Sequence, residues 1–199
     1  ALRAASRAGV DLSLVQRDPV EATGLCFVVV SPGGERTFFS ARGANVRLAM
    51  PSGAPALLSG CGGLHLSGYG LLGGPHRETA LALVAAANAA GLAVSLDLCL
   101  PLIEARRDEL LGLLPRLSVV FGNSSEVEAL AVAGPAASPA TEIVDLGAPV
   151  VVVKAGAEGC VVAWRGGTAA VAGHTVEAVD TTGCGDAFVA GFLHARSRG

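Results

Sequence analysis

The chain has 199 residues, of which 51% are hydrophobic and 16% are charged, and its formal net charge is −3. This composition predicts one folded domain, or one core with a small appendage, and excludes a disordered chain. The arginines are scattered and no apolar stretch approaches the roughly 20 residues of a membrane helix, so we expect neither nucleic acid nor a membrane as a partner.

The five cysteines are widely spaced and form no Cys-x-x-Cys pair, which argues against a disulfide framework or a zinc site. We therefore expect a reduced, cytoplasmic location, and no signal peptide is visible in the sequence. The chain starts at Ala1 in what reads as a helix already under way, which Gly9 ends. We expect it to be part of a longer protein.

The predicted elements change character along the chain. Two β-prone runs, 25–30 and 36–40, flank a short Gly-containing turn and predict a hairpin. After Met50, strands and helices alternate, which predicts an α/β fold with a largely parallel sheet covered on both faces. The predicted strands are 64–67, 93–96, 117–121, 150–153 and 160–164, the last two paired across a Gly-rich turn; the predicted helices are 78–90, 106–114, 124–132 and 186–195. We expect a surface loop at 134–141.

The strongest motif precedes the last helix. Gly183, Cys184 and Gly185 can present successive backbone N–H groups at a helix N-terminus, where the helix dipole favours an anion and glycine permits close approach. Asp186 follows directly, within reach of a hydroxyl that attacks a phosphorus held there. The alternative is an ordinary helix start with an acidic residue in its first turn.

The whole string from Asp180 to Asp186 resembles the C-terminal signature Asp-Thr-x-Gly-x-Gly-Asp of the PfkB carbohydrate kinases. The resemblance implies that Asp186 is the catalytic base and that the N–H groups of Gly183, Cys184 and Gly185 form the anion hole. It places Asp180 and Thr182 where the family shapes the phosphate loop and, in some members, a monovalent-cation site. Cys184 replaces a small residue of the family and is either a filler or a thiol activated by the helix terminus.

A second motif is Asn123 with Glu126 three residues later, after the predicted strand 117–121. This is a capping-box pattern and needs no function. The resembling family carries Asn-x-x-Glu here, which implies that Asn123 and Glu126 lie at the nucleotide and that Glu126 acts near Mg²⁺. Both roles can coexist.

A third motif is the Gly-rich turn with Gly156 and Gly159, preceded by Lys154. The family resemblance implies that this turn lines ATP, with Lys154, Gly156 and Gly159 at the nucleotide, although a plain turn between strands is the alternative. No Gly-x-x-x-x-Gly precedes Lys154, so a Walker-type loop is excluded.

Three further residues complete the candidate site. Asp97 ends a predicted strand, where open α/β sheets place ligands. Arg42 and Asn45 match the return of the family's β lid, close to the substrate, although Arg42 also fits a solvated loop charge. We therefore predict Arg42, Asn45 and Asp97 as substrate residues.

The resemblance covers nearly the whole chain and implies a ribokinase-like three-layer α/β/α core with a mostly parallel sheet and a small β lid. The lid would span about 23–45 and the core about 50–199, with the family domain longer at both ends. The implied activity is ATP- and Mg²⁺-dependent phosphorylation of a hydroxyl group on a sugar-like substrate, with a homodimer through the lid. The alternatives are an inactive or nucleotide-binding fragment of such a kinase, and a nucleoside or vitamin kinase of the same fold.

Overall fold

A computed structural model describes residues 2–31, 36–52, 56, 58–132 and 138–198. The chain begins with a short helix α1, Leu2–Arg7, followed by an irregular segment that leads to the hairpin. Gly9 follows this helix with a φ of 79°, a left-handed conformation that glycine adopts without strain and that ends helices. The predicted hairpin turn falls at 32–35, outside the described residues.

The hairpin consists of β1, Thr23–Val30, and β2, Arg36–Gly43, which pair in antiparallel fashion with Phe27 opposite Phe39. The prediction of a hairpin is thus confirmed. Large apolar side chains are exposed on both of its faces, and Phe27 and Phe39 are 65% and 61% exposed. The hairpin is therefore an unsupported two-stranded sheet that projects from the core.

The core is a six-stranded sheet with the strand order β3-β4-β5-β6-β7-β8. The strands are β3 Gly63–Ser67, β4 Ala93–Asp97, β5 Val119–Asn123, β6 Val150–Lys154, β7 Cys160–Trp164 and β8 Gly167–Val171. Strands β3 to β6 are parallel to one another, and β6, β7 and β8 form an antiparallel meander. The sheet is thus mostly parallel and is extended at one edge by hairpins.

Helices connect the parallel strands, as parallel pairing requires. They are α2 Gly74–Ala89, α3 Leu100–Leu113, α4 Ser124–Leu130 and α5 Pro139–Asp145, and α6, Cys184–Arg196, ends the chain. The larger core cluster contains residues from α2 to α5 and one sheet face, whereas α6 packs on the other face. The predicted α/β/α layering is confirmed, with α6 alone in the third layer of the described chain.

The alternation of side chains along the strands explains this division. In β4, Val94 and Leu96 belong to the larger cluster, so Ser95 and Asp97 face the opposite side, toward α6. On the α6 side the apolar cluster is smaller: Val119, Phe121 and Val152 meet the buried Val189 of the helix, and the partly buried Phe188, Phe192 and Leu193 pack beside it.

The structure corrects several predicted boundaries. The loop predicted at 134–141 is wrong at its end, because α5 already begins at Pro139, with the Ser138 side chain as its N-cap. The sequence prediction also missed β8, whose Gly, Thr and Ala residues carry a weak apolar pattern. Strand β5 is shifted by two residues, and α3 begins six residues before its predicted start, with Pro101 in its first turn.

The described helices include none that is long and apolar enough to cross a membrane.

Candidate active site

Four parallel strands end at one edge of the sheet with polar residues. These are Ser67 on β3, Asp97 on β4, Asn123 on β5 and Lys154 on β6. Because parallel strands point the same way, their carboxyl ends form a single row, which we call the carboxyl edge. The N-terminus of α6 lies at the same edge, since a Cβ built on Gly185 would come 3.5 Å from the Lys154 Nζ.

The first turn of α6 has the shape that the sequence predicts. Gly183 is the N-cap residue with a φ of 78°, and the helix begins at Cys184. A Cβ built on Gly183 would meet nothing within 4 Å, so open space lies beside this turn. Asp186 lies in the first helical turn and is exposed. Backbone N–H groups and a carboxylate therefore share one open helix terminus.

The loop before α6 is held in shape by the side chain of Asp180, one of its own residues. The Asp180 Oδ1 accepts a hydrogen bond of 2.8 Å from the Thr182 backbone N–H. The Cys184 N–H donates to the Thr181 carbonyl at 3.2 Å, which closes the turn. Asp180 and Thr182 thus shape the loop that leads to the helix terminus.

Lys154 and Asp97 form a half-buried ion pair across the carboxyl edge. The Lys154 Nζ donates to both carboxylate oxygens of Asp97, at 2.6 and 2.8 Å, and each side chain is only 17% exposed. Strand β5 lies between the two strands that carry them. The ion pair brings together two residues that the sequence assigned separately, one to the nucleotide and one to the substrate.

His65 lies on the same sheet face as Asp97 and Lys154, the face toward α6. Together with Ser95, these side chains form what we call the polar row. Its Nδ1 lies 2.9 Å from the Oγ of the buried Ser95, and its ring meets Phe121 edge to face. Partial loss of hydration lowers the pKa of His65, and the Lys154 ammonium lowers it further, whereas Asp97 and Asp186 act in the opposite direction. The net shift favours the neutral imidazole.

Glu126 forms the predicted capping box with Asn123. The Asn123 Oδ1 accepts the Glu126 backbone N–H at 2.9 Å, and the Glu126 Oε2 accepts the Asn123 N–H at 2.8 Å. Burial raises the pKa of the Glu126 carboxyl, and the Asp97 carboxylate adds to this, while the Asn123 N–H and the Lys154 ammonium lower it. Glu126 is thus close enough to the ion pair to be influenced electrostatically by both of its members.

Arg42 reaches from the hairpin to the core. Its Nη2 donates to the Tyr69 carbonyl at 2.6 Å and lies 3.4 Å from the His76 Nδ1. Its charge also acts on the buried Cys99 thiol, whose pKa is raised by burial and by the Glu126 and Asp97 carboxylates. Arg42 therefore lies near the carboxyl edge and is not a solvated loop charge.

Asn45 lies elsewhere, at the base of the hairpin. Its Nδ2 would be 2.5 Å from a Cβ built on Gly24, so it packs against the backbone of β1. It lines a cavity together with Thr23, Arg47 and His76. The structure thus brings Arg42 toward the site but places Asn45 on a neighbouring cavity.

The two glycines of the β6–β7 turn differ. Both have positive φ, 60° at Gly156 and 96° at Gly159. A Cβ on Gly159 would overlap the Val171 carbonyl oxygen, whereas one on Gly156 would meet nothing within 4 Å. Gly159 is required by the close packing of the turn against the end of β8, and Gly156 faces open space.

The sequence analysis missed three residues of this region: His65, Ser95 and Tyr69. The alternation of β4 was the available signal for Ser95, because it shares the face of Asp97. For His65 the same alternation along β3 applies, but a single dispersed histidine gave no reason to examine it. Tyr69 contributes its carbonyl, which no side-chain pattern can predict.

The fold and the carboxyl edge define an α/β protein with a ribokinase-like core. The family model described as pfkB family carbohydrate kinase matches residues 1–199, and the chain belongs to this family. It is 32% identical over 197 residues to a fructokinase of Escherichia coli, covering 93% of this chain and 62% of the relative. The chain thus spans less than two thirds of that protein.

Two solved structures support the same fold. A putative ribokinase II from E. coli in complex with ATP and Mg²⁺ superimposes with a TM-score of 0.84 and 25% identity, covering 100% of this chain and 65% of that one. A fructokinase from Vibrio cholerae O395 bound to fructose, ADP and a calcium ion gives a TM-score of 0.79 and 27% identity, with coverages of 98% and 65%.

Proposed function

We propose that the protein is an ATP- and Mg²⁺-dependent carbohydrate kinase, a phosphotransferase that acts on a hydroxyl group of a sugar-like acceptor. The observation that carries the proposal is the terminus of α6, where the Gly183–Gly185 backbone and Asp186 share one open turn. The pfkB family match and the ATP, ADP and fructose named for the two similar structures support it.

In this proposal Asp186 accepts the proton of the attacking hydroxyl. The N–H groups of Gly183, Cys184 and Gly185 stabilise the negative charge of the transferred phosphoryl group, with the dipole of α6 adding to the effect. Asp180 holds the loop through Thr182, and the Cys184 N–H would exchange its bond to the Thr181 carbonyl for a bond to the anion. This matches what phosphoryl transfer requires, which is mainly positioning and charge stabilisation.

Glu126 and Asn123 fit the nucleotide side of the site. Mg²⁺ is usually held by one or two carboxylates together with phosphate oxygens and water, and Glu126 offers one half-buried carboxylate at the carboxyl edge. When bound, Mg²⁺ would neutralise charge on the phosphates. Gly156, which faces open space, and Gly159 would let the β6–β7 turn approach the nucleotide. A monovalent-cation site near Asp180 stays a prediction.

Arg42 is the residue best placed to contact the acceptor, because it joins the hairpin to the core beside Tyr69 and Cys99. The acceptor roles of Asn45 and Asp97 stay predictions. The main test, with its panel of sugars and nucleosides, distinguishes these two classes of acceptor. A cytoplasmic location also stays a prediction.

The hairpin supports a further part of the proposal, a homodimer through the lid. Its exposed apolar side chains would be covered by the same surface of a second copy, as a two-fold interface requires. Light scattering coupled to size exclusion tests this: the protein is expected to run as a dimer, and Phe27→Asp as a monomer. A monomeric wild-type protein would refute this part alone.

The main test is ADP release from ATP and Mg²⁺ against a panel of sugars and nucleosides. We expect acceptor-dependent turnover that Asp186→Asn lowers by about 10²–10⁴-fold, since the amide keeps the size but cannot accept the proton. Asp108→Asn, an exposed carboxylate on α3, is the matched control and should retain full turnover. Nucleotide binding without turnover would favour the nucleotide-binding alternative, and full turnover by Asp186→Asn would remove that residue from the mechanism.

A further inference from the structure

Lys154 is the only lysine in the chain, and it lies at a place that is unfavourable for a cation by itself. Its Nζ is 3.5 Å from the Cβ position of Gly185, in the first turn of α6. The N-terminus of a helix carries a partial positive charge, so an ammonium group there is repelled by the helix dipole. Some negative charge must offset this arrangement.

Asp97 provides that charge in the described structure. It binds the ammonium with both carboxylate oxygens, and it does so from β4, two strands away from the β6 strand of Lys154. Neighbouring strands are about 4.8 Å apart, so the pair spans about 10 Å. Only a long side chain covers this distance. The Lys154 ammonium is therefore held beside the anion hole and not above its own strand.

A half-buried pair of this kind is weak evidence for a stabilising role. Replacing such pairs by apolar residues is often neutral or favourable, because the cost of desolvation cancels the attraction between the charges. The position of the Lys154 ammonium beside Gly185 is explained better if a third, anionic group binds there. A phosphoryl group at the α6 terminus would be attracted both by the helix and by the ammonium.

We infer that Lys154 is a catalytic residue that contacts the transferred phosphoryl group, and that Asp97 is a positioning residue that holds Lys154 in place rather than a ligand of the acceptor. This inference rests on the proposed kinase function and deepens it. It differs from the sequence prediction, which gave Asp97 to the substrate and treated Lys154 as one of several nucleotide contacts.

The inference is tested with Lys154→Met, Asp97→Asn and the double variant in the intact protein. Each variant is measured for thermal unfolding, for turnover and for affinity toward Mg²⁺·AMP-PNP and Mg²⁺·ADP. Lys154→Met leaves the Asp97 carboxylate unpaired and is expected to be less stable. In the double variant both side chains of the former ion pair are uncharged, so stability should be regained. The double variant keeps the test valid if the single variant folds poorly.

The expected result separates stability from function. In the double variant, thermal stability recovers, but turnover stays low and affinity for Mg²⁺·AMP-PNP stays reduced by about 10-fold or more, as for the loss of one charge-assisted hydrogen bond. Affinity for Mg²⁺·ADP, which lacks the transferred group, should change much less. Lys154→Arg, which keeps the charge, should recover part of the AMP-PNP affinity.

Asp97 is tested by comparing backgrounds. If it acts only through Lys154, Asp97→Asn lowers turnover in the wild type but has no further effect beside Lys154→Met. A full, independent effect on the KM of the acceptor in both backgrounds would show that Asp97 binds the acceptor and would overturn its positioning role.

Two other results are decisive. Recovery of both stability and AMP-PNP affinity in the double variant would overturn the inference while leaving the proposed function intact, provided that Asp186→Asn still lowers turnover as expected. If the wild-type protein neither binds Mg²⁺·AMP-PNP nor turns over, the proposed function itself fails, and the inference fails with it.

Discussion

The two faces of the sheet differ in what their side chains do at the carboxyl edge. Under α2 to α5 the face is apolar nearly to the end of the strands, with Leu96 and Val153 in or against the core. Under α6 it is apolar only in the middle and ends in Asp97 and Lys154. The same strands therefore serve stability on one side and charge placement on the other.

This difference follows from the two-residue period of a strand. Within β4, Val94 and Leu96 are fully buried in the larger core, and the alternate residues Ser95 and Asp97 are polar. Because the apolar residues fix the strand in register, a change of the polar ones leaves the packing in place. Apolar packing and charge placement can thus be altered separately in neighbouring residues.

The solvent-accessible surface of the chain is larger than that of a compact protein of the same mass, in part because the α6 face of the sheet is incompletely covered. The solvent-accessible surface is 12247 Å², against about 8,600 Å² expected for a compact chain of this mass. The exposed hairpin and the sheet face under α6, where Val189 is the one buried residue of the helix among those described, both contribute to it.

The largest expected effect in this comparison concerns the covered face. Ile143 on α5 is fully buried in the larger core, far along the chain from every proposed site residue on α6. Ile143→Ala is expected to lower the free energy of unfolding by about 2–5 kcal/mol, because it leaves a cavity. Urea unfolding measures this, and turnover at a temperature where the variant is folded should stay unchanged.

Ile143→Val is the matched control for this substitution and should cost only about 0.5–1.5 kcal/mol. A loss of turnover in the folded Ile143→Ala protein would show that the two faces are coupled, contrary to the division described above.

The fold was predictable to the extent that its elements carry a clear apolar pattern. The strands of the parallel sheet and the helices α2 and α4 were placed within a few residues of their observed bounds, because Val, Leu and Ala runs bounded by Gly define them. Strand β8 was missed since its side chains are small and mostly exposed. Its position depends on pairing with β7, which no local pattern encodes.

A second prediction compares the two glycines of the β6–β7 turn. Gly159→Ala should be the more destabilising, by about 3 kcal/mol, because the methyl group adds overlap with Val171 to the strain of a positive φ. Gly156→Ala meets only the strain and should cost about 1 kcal/mol. Thermal unfolding ranks them.

Affinity for Mg²⁺·ADP adds a functional measurement to this pair. If Gly156 lines the nucleotide, Gly156→Ala lowers that affinity more than its small effect on stability would explain. Equal effects of the two substitutions on stability would contradict the packing assigned to Gly159.

The arrangement of the site was less predictable than the fold. The motif at 183–186 was visible because its chemistry lies in one short segment, and so was the capping box of Asn123 and Glu126. The Lys154–Asp97 pair was not, since it joins residues 57 positions apart that meet only through the sheet order. Arg42 is a similar case, because its partner is a backbone carbonyl.

A third prediction concerns Glu126, where the capping and metal roles overlap. Glu126→Gln keeps a side chain that can cap the helix, so the stability of the protein should change little. It removes one negative charge from the proposed metal site, and the Mg²⁺ concentration for half-maximal turnover should rise by about 10-fold. Turnover measured against Mg²⁺ concentration checks this.

Asn123→Ala is the complementary variant, because it removes the cap and should cost about 1 kcal/mol of stability. An unchanged Mg²⁺ profile for Glu126→Gln, with stability intact, would leave Glu126 with the structural role alone.

The smallest expected effect belongs to His65, at the outer end of the polar row. Its folded-state pKa is lowered, chiefly by loss of hydration, so the unfolded chain takes up a proton at a higher pH than the folded one. The unfolded state thus binds more protons between the lowered pKa and the ordinary value of about 6.5, and stability must fall as the pH drops through that window. His65→Gln, which can still hydrogen-bond to Ser95 but does not titrate, should lose less stability than the wild type between pH 7.5 and 5.5.

Glu126 also titrates on the acid side, but its pKa is raised, so its contribution has the opposite sign and is present in both proteins. Urea unfolding of the two proteins at both pH values isolates the His65 term as the difference of differences. An equal loss of stability in the two proteins would mean that the imidazole is no less hydrated in the folded state than in the unfolded chain, and that the polar row ends at Ser95.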